Sequence, residues 1–460
     1  MEETKRLGLT DYRSLSFWHD SLTESLEPRP VSQQRDFDVV IMGAGFTGLW
    51  TAIYLLRNQP SLKVAVLEEE IAGFGASGRN GGWCSALFPW SSETLAKKFG
   101  LEAAQAMRRA MVATVDDIGR ITEELGIDCD YQKAGTYNLI RSDAQRQKAV
   151  IEIEHSERYQ VDQLKLKAAG ESPRATKSQG AVFDPACASI HPAKLVRGLA
   201  NAFIQLGGQL FEKTEVTGFS AGTVVSSRGE FRAEYVVDAL EGYRPTVAGQ
   251  KRRSLPLYSL MIVTEPITGS VLDDLGLKPG VTFADFRNLI IYGQRTKDNR
   301  IAFGGRGAPY HFGSRIKAKY DSVGKIHEHL ERELKAMFPT LGGYRITHRW
   351  GGALGVTRDW MASVSLDSVT KLAQAGGYVG DGVGTSHLAG KTLADLILGR
   401  PSPETSLCFV NHQSPNWEIE PLRFIAARGA MVAASLADQI EGTTGRSSFI
   451  SKIIRWLTGR

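Results

Sequence analysis

The segment DVVIMGAGFTG (residues 38–48) indicates a buried strand that runs directly into a Gly-x-Gly-x-x-Gly turn. The apolar run from Leu49 to Leu56 predicts the helix that follows. Gly43 allows a tight turn, Gly45 allows a pyrophosphate to approach the backbone, and Gly48 allows helix and strand to pack closely. Because the N-terminus of such a helix presents free N–H groups to phosphate, the segment predicts a nucleotide-binding unit.

A second predicted strand strengthens this interpretation. The sequence KVAVL (residues 63–67) is followed by Glu68, twenty residues after Gly48. In dinucleotide-binding units an acid at this distance accepts hydrogen bonds from the ribose hydroxyls. A βαβ unit without a ligand has no need of this acid, so the pair of features predicts dinucleotide binding.

Length and composition limit the classes of protein to which the chain can belong. At 460 residues it is too long for one simple core, which predicts two domains or one domain with an inserted lobe. The net charge of +5 is mild, and no basic stripe with interleaved aromatic residues appears, so we expect no nucleic-acid partner. The small positive excess favours anionic ligands.

The four cysteines, Cys84, Cys129, Cys187 and Cys408, show no C-x-x-C spacing, which predicts free thiols and no metal site. The first residues lack an apolar segment, and no apolar run reaches about 18 residues, so we expect neither a signal peptide nor a spanning helix. These features together predict a cytoplasmic protein.

The order of predicted elements indicates an interleaved α/β chain. A polar lead (residues 1–35) precedes a Rossmann-like domain assembled from three separate pieces, 36–95, 186–250 and 340–405. Residues 96–185 and 251–339 are assigned to a substrate lobe built on a mostly antiparallel sheet, because 255–310 alternates apolar and polar residues. Predicted helices cover 95–125, 143–159 and 316–338, and a helical tail covers 406–460.

Two further glycine-rich loops favour a flavin dinucleotide over NAD. The loop GFGASGRNGGW (residues 73–83) follows the predicted ribose-binding acid and supplies groups that can track a pyrophosphate toward a flavin ring. Near the C-terminus, GGYVGDGVGTSH (residues 376–387) leads into a predicted helix. The positive end of that helix dipole can stabilise the negative charge of a reduced flavin.

These loops, with Ile190-His191-Pro192 and Arg349-Trp350-Gly351-Gly352, resemble the D-amino-acid-oxidase-like family of FAD-dependent oxidoreductases, and most closely its γ-glutamylputrescine oxidoreductase branch. The resemblance extends from about residue 36 to about residue 440. It implies bound FAD, with the pyrophosphate at the first loop, the ribose at Glu68 and the adenine at Val216. The FAD-binding residues it implies are Gly43, Gly45, Phe46, Thr47, Gly48, Glu68, Glu69, Gly75, Ala76, Ser77, Arg79, Asn80, Gly81, Gly82, Trp83, Val216, Gly380, Asp381, Gly382, Val383, Gly384 and Thr385.

The chain departs from the family at three points. Relatives that oxidise amino acids carry an arginine four residues after the tryptophan that matches Trp350, and here that position is Leu354. None of the cysteines lies where sarcosine oxidases attach FAD, so we expect non-covalent FAD. The aligned strand from Arg300 to Gly304 offers no inner lysine to speed the reaction with oxygen. The electron acceptor is therefore left open between O2 and another acceptor.

The resemblance implies oxidation of a primary or secondary amine by hydride transfer to the flavin, followed by hydrolysis of the imine. Amino acids, γ-glutamyl amines and aminophosphonates are the substrate types considered, with an anionic group that Arg306 could bind bidentately. No catalytic residue is assigned, and His387, Tyr258 and Tyr292 are the other substrate-binding candidates. For His387 a packing role is the more common one. A flavin hydroxylase using NADPH and a non-catalytic flavin-binding protein are the alternatives.

The last residues predict a basic amphipathic helix. Phe449, Ile450, Ile453, Ile454 and Leu457 fall on one face, and Lys452, Arg455 and Arg460 carry positive charge elsewhere. Such a helix can lie on an anionic membrane. We expect it instead to dock on its own protein or on a partner subunit, and the oligomeric state is left open.

Overall fold

The computed structural model of the protein describes residues 11–29, 32–159, 161, 163–307 and 310–458, and it leaves the side chains of residues 306 and 455–457 undescribed. The α-helices of these ranges are α1 (Phe17–Asp20), α2 (Phe46–Asn58), α3 (Ser92–Phe99), α4 (Leu101–Glu124), α5 (Asp143–Tyr159), α6 (Pro192–Gln205), α7 (Gly269–Asp274), α8 (Gly324–Met337), α9 (Gly382–Ile397), α10 (Leu422–Thr444) and α11 (Phe449–Thr458).

Eighteen strands are formed by the described residues. They are β1 (Asp36–Met42), β2 (Val64–Leu67), β3 (Trp83–Ser85), β4 (Thr136–Leu139), β5 (Lys165–Lys167), β6 (Ala181–Asp184), β7 (Cys187–Ser189), β8 (Gln209–Phe211), β9 (Val216–Ser220), β10 (Thr223–Ser226), β11 (Gly229–Asp238), β12 (Leu255–Thr264), β13 (Thr282–Asp285), β14 (Ile291–Arg295), β15 (Ile301–Arg306), β16 (Ile346–Val356), β17 (Ser363–Leu366) and β18 (Leu372–Gly376).

The first sheet forms the nucleotide-binding half of the fold. Its main strand order is β17-β18-β11-β1-β2-β8, and the pairs around β1 are parallel. β1 lies at the centre because Val39, Val40 and Ile41 are fully buried on both faces, as a parallel strand covered by helices requires. Helices α2, α6 and α9 pack together with α4 in the large core that covers this sheet.

The second sheet forms the lobe, with strand order β16-β12-β15-β14-β13-β4-β6-β5. All of its pairs are antiparallel except β13 with β4, so the mostly antiparallel lobe predicted from sequence is confirmed. Helix α8 packs on this sheet through Leu330, Leu334 and Met337.

Several predicted boundaries differ from the structure. The division at residue 340 assigns β16 to the nucleotide-binding domain, whereas β16 pairs with β12 along its whole length in the lobe. Helix α4 was assigned to the lobe, whereas Met107, Val115 and Ile118 are buried in the core of the first sheet. The helix predicted over 95–125 is interrupted at Gly100, whose φ of 92° ends α3 before α4 begins.

The helix predicted from residue 316 begins at Gly324, because residues 318–320 form only a short 3-10 turn. Within the described ranges, none of the helices combines the length and apolarity that crossing a membrane requires.

Candidate active site

The turn between β1 and α2 has the geometry that a bound pyrophosphate needs. Gly43 adopts φ of 101°, and a Cβ atom added there would lie 2.9 Å from the carbonyl oxygen of Ala239. A Cβ at Gly45 would lie 2.9 Å from the hydroxyl of Ser77. The positive φ and the backbone contact favour glycine at Gly43, whereas a side chain at Gly45 would displace the Ser77 hydroxyl. The helix that starts at Phe46 presents its N-terminus to the groove.

The second glycine-rich loop folds directly onto this helix. The backbone N–H of Phe46 donates to Ser77 Oγ at 2.8 Å, so the loop and the first turn are one structural unit. Asn80 is used within the loop, because its Nδ2 donates to the carbonyls of Ala76 and Ser77 and its Oδ1 accepts from the N–H of Gly82. The amide of Asn80 thus fixes the loop that leads toward the lobe.

Glu68 lies at the end of β2 as predicted. Its Oε2 accepts from the N–H of Ala44 at 2.9 Å and its Oε1 accepts from the N–H of Glu70 at 3.1 Å. Burial raises the pKa of this carboxyl to about 7. Glu68 therefore supports the glycine turn through Ala44 and also lines the groove where ribose hydroxyls are expected.

A groove runs along these elements and collects most of the predicted FAD-binding residues. It is lined by Gly43, Gly45, Phe46, Thr47, Glu68, Glu69, Gly75, Ala76, Ser77, Asn80, Val216, Gly380, Gly382 and Val383. The start of α9 lies in this groove, so the positive end of its dipole can contribute there.

The groove also contains residues that the sequence analysis missed. Glu241 accepts from the N–H groups of Gly377 and Tyr378, both at 3.2 Å, and burial raises its pKa to about 7. The Tyr378 hydroxyl lies 2.9 Å from Thr47 Oγ1, which connects the third loop to α2. Glu241 follows β11, next to β1, and ligands of α/β sheets bind at the carboxyl ends of such strands. The position of Glu241 directly after β11 is therefore the sequence feature that could have predicted its place in the groove.

A second, larger cavity of about 1080 Å³ begins where this groove reaches the lobe. The two spaces share Ala76, Asn80, Leu354, Gly380 and Val383. Other predicted FAD-binding residues, Arg79, Gly81, Trp83 and Asp381, line this larger cavity.

Aromatic and apolar side chains form the wall beside this junction. Trp83 and Tyr292 pack edge to face at 6.0 Å, and the Trp83 indole donates to the carbonyl of Gly293. The Tyr292 hydroxyl lies 2.8 Å from Ser259 Oγ on β12, two strands away across β15. Met261 and Leu354 complete this part of the lining. Tyr292 is thus the predicted substrate-binding aromatic residue that the structure brings to the cavity.

Arg79 connects the second loop to the lobe. Its Nη1 donates to Asp321 Oδ2 at 2.8 Å, its Nε donates to the carbonyl of Phe74, and its side chain is almost fully buried. Burial raises the pKa of Asp321. The Nη2 of Arg79 is buried without a hydrogen-bond partner among the described residues, so the guanidinium retains a free donor beside the large cavity.

The far part of the cavity is polar. Thr136 Oγ1 and Asn138 Oδ1, two residues apart on β4, are buried and without hydrogen-bond partners in the described part of the chain. Nearby charged residues of the lining form ion pairs, such as Arg108 with Asp184 and Lys148 with Glu441. The cavity therefore extends from aromatic and apolar side chains beside the FAD groove to a region near β4 whose lining includes unpartnered polar oxygens.

Two of the substrate-binding candidates lie outside both cavities. The Tyr258 ring packs against His311 and Tyr320 in the lobe. His387 Nε2 lies 2.7 Å from the Tyr54 hydroxyl, its ring packs edge-on against Trp50, and burial lowers its pKa to about 3. The side chain of each faces packed neighbours rather than either cavity; for His387 this agrees with the packing role.

Four predicted FAD-binding residues also line neither cavity: Gly48, Gly82, Gly384 and Thr385. They support the loops from behind. Thr385 Oγ1, for example, donates to the carbonyl of Asp381 inside α9. The side chain of Arg306 lies outside the described residues, although its backbone ends β15 opposite Ser259.

Comparison with known proteins assigns the family. A family model described as FAD dependent oxidoreductase matches residues 38–396, well over half of the chain. The chain belongs to this family. The γ-glutamylputrescine oxidoreductase of Escherichia coli K12 is 32% identical over 374 residues, which cover 79% of this chain and 84% of that protein. A probable oxidoreductase, OrdL, of Haemophilus influenzae is 29% identical and covers 84% of this chain and 88% of its own.

Solved structures share the fold of this FAD-dependent oxidoreductase. Glycine oxidase from Geobacillus kaustophilus aligns with a TM-score of 0.67 at 21% identity over 83% of this chain and 100% of that one. L-proline dehydrogenase from P. horikoshii aligns with a TM-score of 0.67 at 20% identity over 82% of this chain and 96% of that one. The predicted α/β architecture with a Rossmann-like domain is thereby confirmed.

FAD is the cofactor of this family, and the groove fits it. The glycine turn would hold the pyrophosphate, Glu68 the ribose, and the start of α9 the flavin. None of the four cysteines lines either cavity, which supports non-covalent binding. Among the described residues no group of three or more His, Cys, Asp or Glu side chains could hold a metal ion.

Proposed function

We propose that this FAD-dependent oxidoreductase oxidises a long primary or secondary amine that carries a distal anionic or polar group, as in a γ-glutamyl amine. The observation that carries the proposal is the single cavity that joins an apolar inner end at Trp83 and Tyr292 to a polar outer end at Thr136 and Asn138. Bound FAD would supply a two-electron acceptor for the hydride on the α-carbon of the amine.

The inner end of the cavity suits the reacting carbon of a neutral amine. Trp83, Met261 and Leu354 present apolar surface there, which excludes water and disfavours a charged ammonium group. The hydroxyl groups of Tyr292 and Ser259 bond to each other and can orient an amine nitrogen as donor or acceptor. The wall therefore positions the C–H bond and supplies no acid–base pair, and amine oxidation needs none.

The size and polarity of the cavity favour a long substrate over a small α-amino acid. Its volume of about 1080 Å³ would hold part of the flavin as well as the substrate, and its lining extends from the FAD-binding residues Arg79 and Asp381 to Thr136 and Asn138 on β4. Leu354 replaces the arginine that would hold an α-carboxylate next to the reacting carbon. A carboxylate at the far end of the substrate would instead accept from the Thr136 hydroxyl or pair with a nearby cation such as Arg108, and an amide N–H there would donate to Asn138 Oδ1.

The similarity to the γ-glutamylputrescine oxidoreductase of Escherichia coli gives independent support for a γ-glutamyl amine. The glycine oxidase structure supports only the fold, because its identity to this chain is 21%.

A steady-state assay with an artificial electron acceptor tests the substrate class. The panel contains γ-glutamylputrescine, putrescine, glycine, sarcosine and 2-aminoethylphosphonate, with aldehyde or keto acid as the detected product. The proposal expects the highest kcat/KM for γ-glutamylputrescine, with putrescine at least tenfold lower because it lacks the distal group. Highest turnover of glycine or sarcosine would contradict the long-substrate proposal.

The two alternative functions give different results in the same assay. A flavin hydroxylase would consume NADPH without any amine, and a non-catalytic flavin-binding protein would turn over no member of the panel. O2 and an artificial dye compared at equal amine concentration identify the acceptor, which the missing lysine of β15 leaves open.

A further inference from the structure

Helix α10 carries an exposed apolar stripe that the active site does not use. Leu422, Ile425, Val432, Leu436 and Ile440 are between 41% and 62% exposed. At 100° per residue these five side chains fall within a sector of about 80° and extend over about 27 Å. Gly429, also exposed, falls within the same sector, and no charged residue of α10 lies there. A continuous exposed patch of this kind marks an interaction surface.

The acids near this stripe are all engaged inside the protein. The two acids of α10 are Asp438, which accepts from the N–H groups of Asn288 and Leu289, and Glu441, which pairs with Lys148. Before the helix, Glu420 accepts from the Tyr310 hydroxyl and the N–H of Gly313. Helix α11 contains no acid at all.

The exposed charged side chains described on α10, on α11, between these helices and in residues 312–319 are positive. Arg428 on α10, Arg446 after it, and Lys452 on α11 are exposed. The loop that packs on α10 through Phe312 and Phe424 adds three more exposed bases, Arg315, Lys317 and Lys319. Phe312 itself is 49% exposed beside the stripe, and Phe449 at the start of α11 is 76% exposed. Apolar residues are thus bordered by cations.

We propose that this face of α10, with its basic border, binds the surface of an anionic membrane. An interfacial helix buries its apolar side at the headgroup boundary while adjacent Lys and Arg side chains attract anionic lipids. A second copy of this chain would bring the same six cations against each other, which disfavours pairing of the face with itself. The proposal is independent of the substrate.

The expectation drawn from sequence, that the last residues dock on the protein rather than on a membrane, concerns α11, whereas the proposed membrane-binding face belongs to α10. The tail helix α11 does dock on the protein, since the Ser451 hydroxyl donates to Glu441 at 2.6 Å and Ile454 lines the large cavity. Docking of α11 leaves the stripe of α10 facing outward. Because α11 lines the mouth of the cavity, the membrane would lie close to the route by which substrate enters.

Sedimentation with lipid vesicles tests the proposal on the FAD-loaded protein. Vesicles of phosphatidylglycerol and phosphatidylcholine should carry the protein down, and vesicles of phosphatidylcholine alone should carry at least tenfold less. Raising the salt concentration should release it, because screening weakens the lipid attraction. The double variant Val432→Gln/Leu436→Gln should bind at least tenfold more weakly, with unchanged flavin content and amine turnover. Val369→Gln, the same kind of apolar-to-polar change at an exposed residue between β17 and β18, is the matched control and should bind like the wild type.

Three outcomes would overturn the proposal. One is protein that stays in the supernatant with anionic vesicles. Another is equal binding to neutral and anionic vesicles, which would remove the role of the basic border. The third is a lipid-free dimer, seen by analytical ultracentrifugation, that the double variant converts to monomer; this would assign the face to a second copy.

Discussion

The hydroxyl of Ser77 accepts a hydrogen bond from the backbone N–H of Phe46 at 2.8 Å, so the second glycine-rich loop fixes the first turn of the nucleotide-binding helix. Two segments separated by about thirty residues therefore build one phosphate-binding unit. The unit positions hydrogen-bond donors, and it also leaves little room for a side chain at Gly45. A Cβ there would lie 2.9 Å from the same hydroxyl.

Removal of this hydroxyl should weaken FAD binding without preventing it. We expect Ser77→Ala to raise the Kd for FAD about fivefold, because one neutral hydrogen bond contributes about 1 kcal/mol. Reconstitution of the FAD-free protein followed by fluorescence measures the change. Ser14→Ala removes an exposed hydroxyl far from the groove and should leave the Kd unchanged. Equal Kd values for Ser77→Ala and wild type would show that the loop is fixed by other contacts.

A side chain at Gly45 should abolish flavin binding. Gly45→Ala places a methyl group between α2 and Ser77, where the phosphate is expected, and should yield colourless protein. Gly343→Ala is the control, because a Cβ there meets nothing within 4 Å. The yellow colour of the two purified variants is compared at equal protein concentration. A Gly45→Ala protein that retains full flavin content would contradict the assigned position of the pyrophosphate.

The ion pair between Arg79 and Asp321 should contribute strongly to stability. Asp321→Asn leaves the buried guanidinium of Arg79 uncompensated, and we expect a loss of about 3–5 kcal/mol in the free energy of unfolding. Urea unfolding measures this loss in the free energy of unfolding. Glu230→Gln breaks the exposed pair with Arg232 and should cost less than about 1 kcal/mol. Similar losses in the two variants would mean that the Arg79 pair is effectively solvated.

Glu241 predicts a pH dependence of stability in the FAD-free protein. Burial raises its pKa from the usual value of 4.5 to about 7, so the folded protein holds a proton that the unfolded chain releases. The contribution is present at low pH and is lost as pH rises through the folded pKa. Stability of the wild type should thus fall by about 1–3 kcal/mol from this group between pH 4.5 and 7.5.

Glu241→Gln should remove this component of the pH profile, since the amide does not titrate in that range. Urea unfolding at four pH values compares the two proteins. Parallel profiles would show that Glu241 titrates near its ordinary pKa.

Arg306, whose side chain lies outside the described residues, is a second candidate for the substrate's anionic group beside Arg108. Arg306→Ala should raise the apparent Kd for the amine about ten- to a hundredfold, because a charge-assisted contact contributes about 1.5–3 kcal/mol. Flavin content should not change. Arg306→Lys should restore part of the affinity, since an ammonium group cannot reproduce the planar fork. Wild-type affinity in the alanine variant would place the anion elsewhere, with Arg108 and Arg79 as the next candidates.

Much of this architecture could be predicted from sequence because it depends on local patterns. The residues of the first glycine turn, Glu68 and the third loop all follow from spacing, and the structure brings them into one groove. Lobe strands such as β15 were predicted from alternation of apolar and polar residues. Each of these signals resides within one short segment, the longest of which runs from Gly43 to Glu68.

The sequence-based predictions that differ from the structure concern features that depend on long-range contacts. β16 pairs with β12, ninety-one residues earlier when their first residues are compared, and no local pattern indicates that partner. His387 and Tyr258 carry suitable chemistry, but only the packing around them shows that they face Tyr54 and His311 rather than the cavity. Glu241 was missed for the same reason, because its role requires the third loop to lie beside it.

Anaerobic titration of the purified protein tests the central claim most directly. The protein as isolated should be yellow, and acid precipitation should release all of its flavin into the supernatant. Addition of γ-glutamylputrescine without oxygen should bleach the absorbance of the oxidised flavin at about 450 nm, with one aldehyde molecule formed per flavin reduced. Flavin that stays oxidised with every amine tested, while NADPH bleaches it, would contradict the assignment of this protein as an amine oxidoreductase.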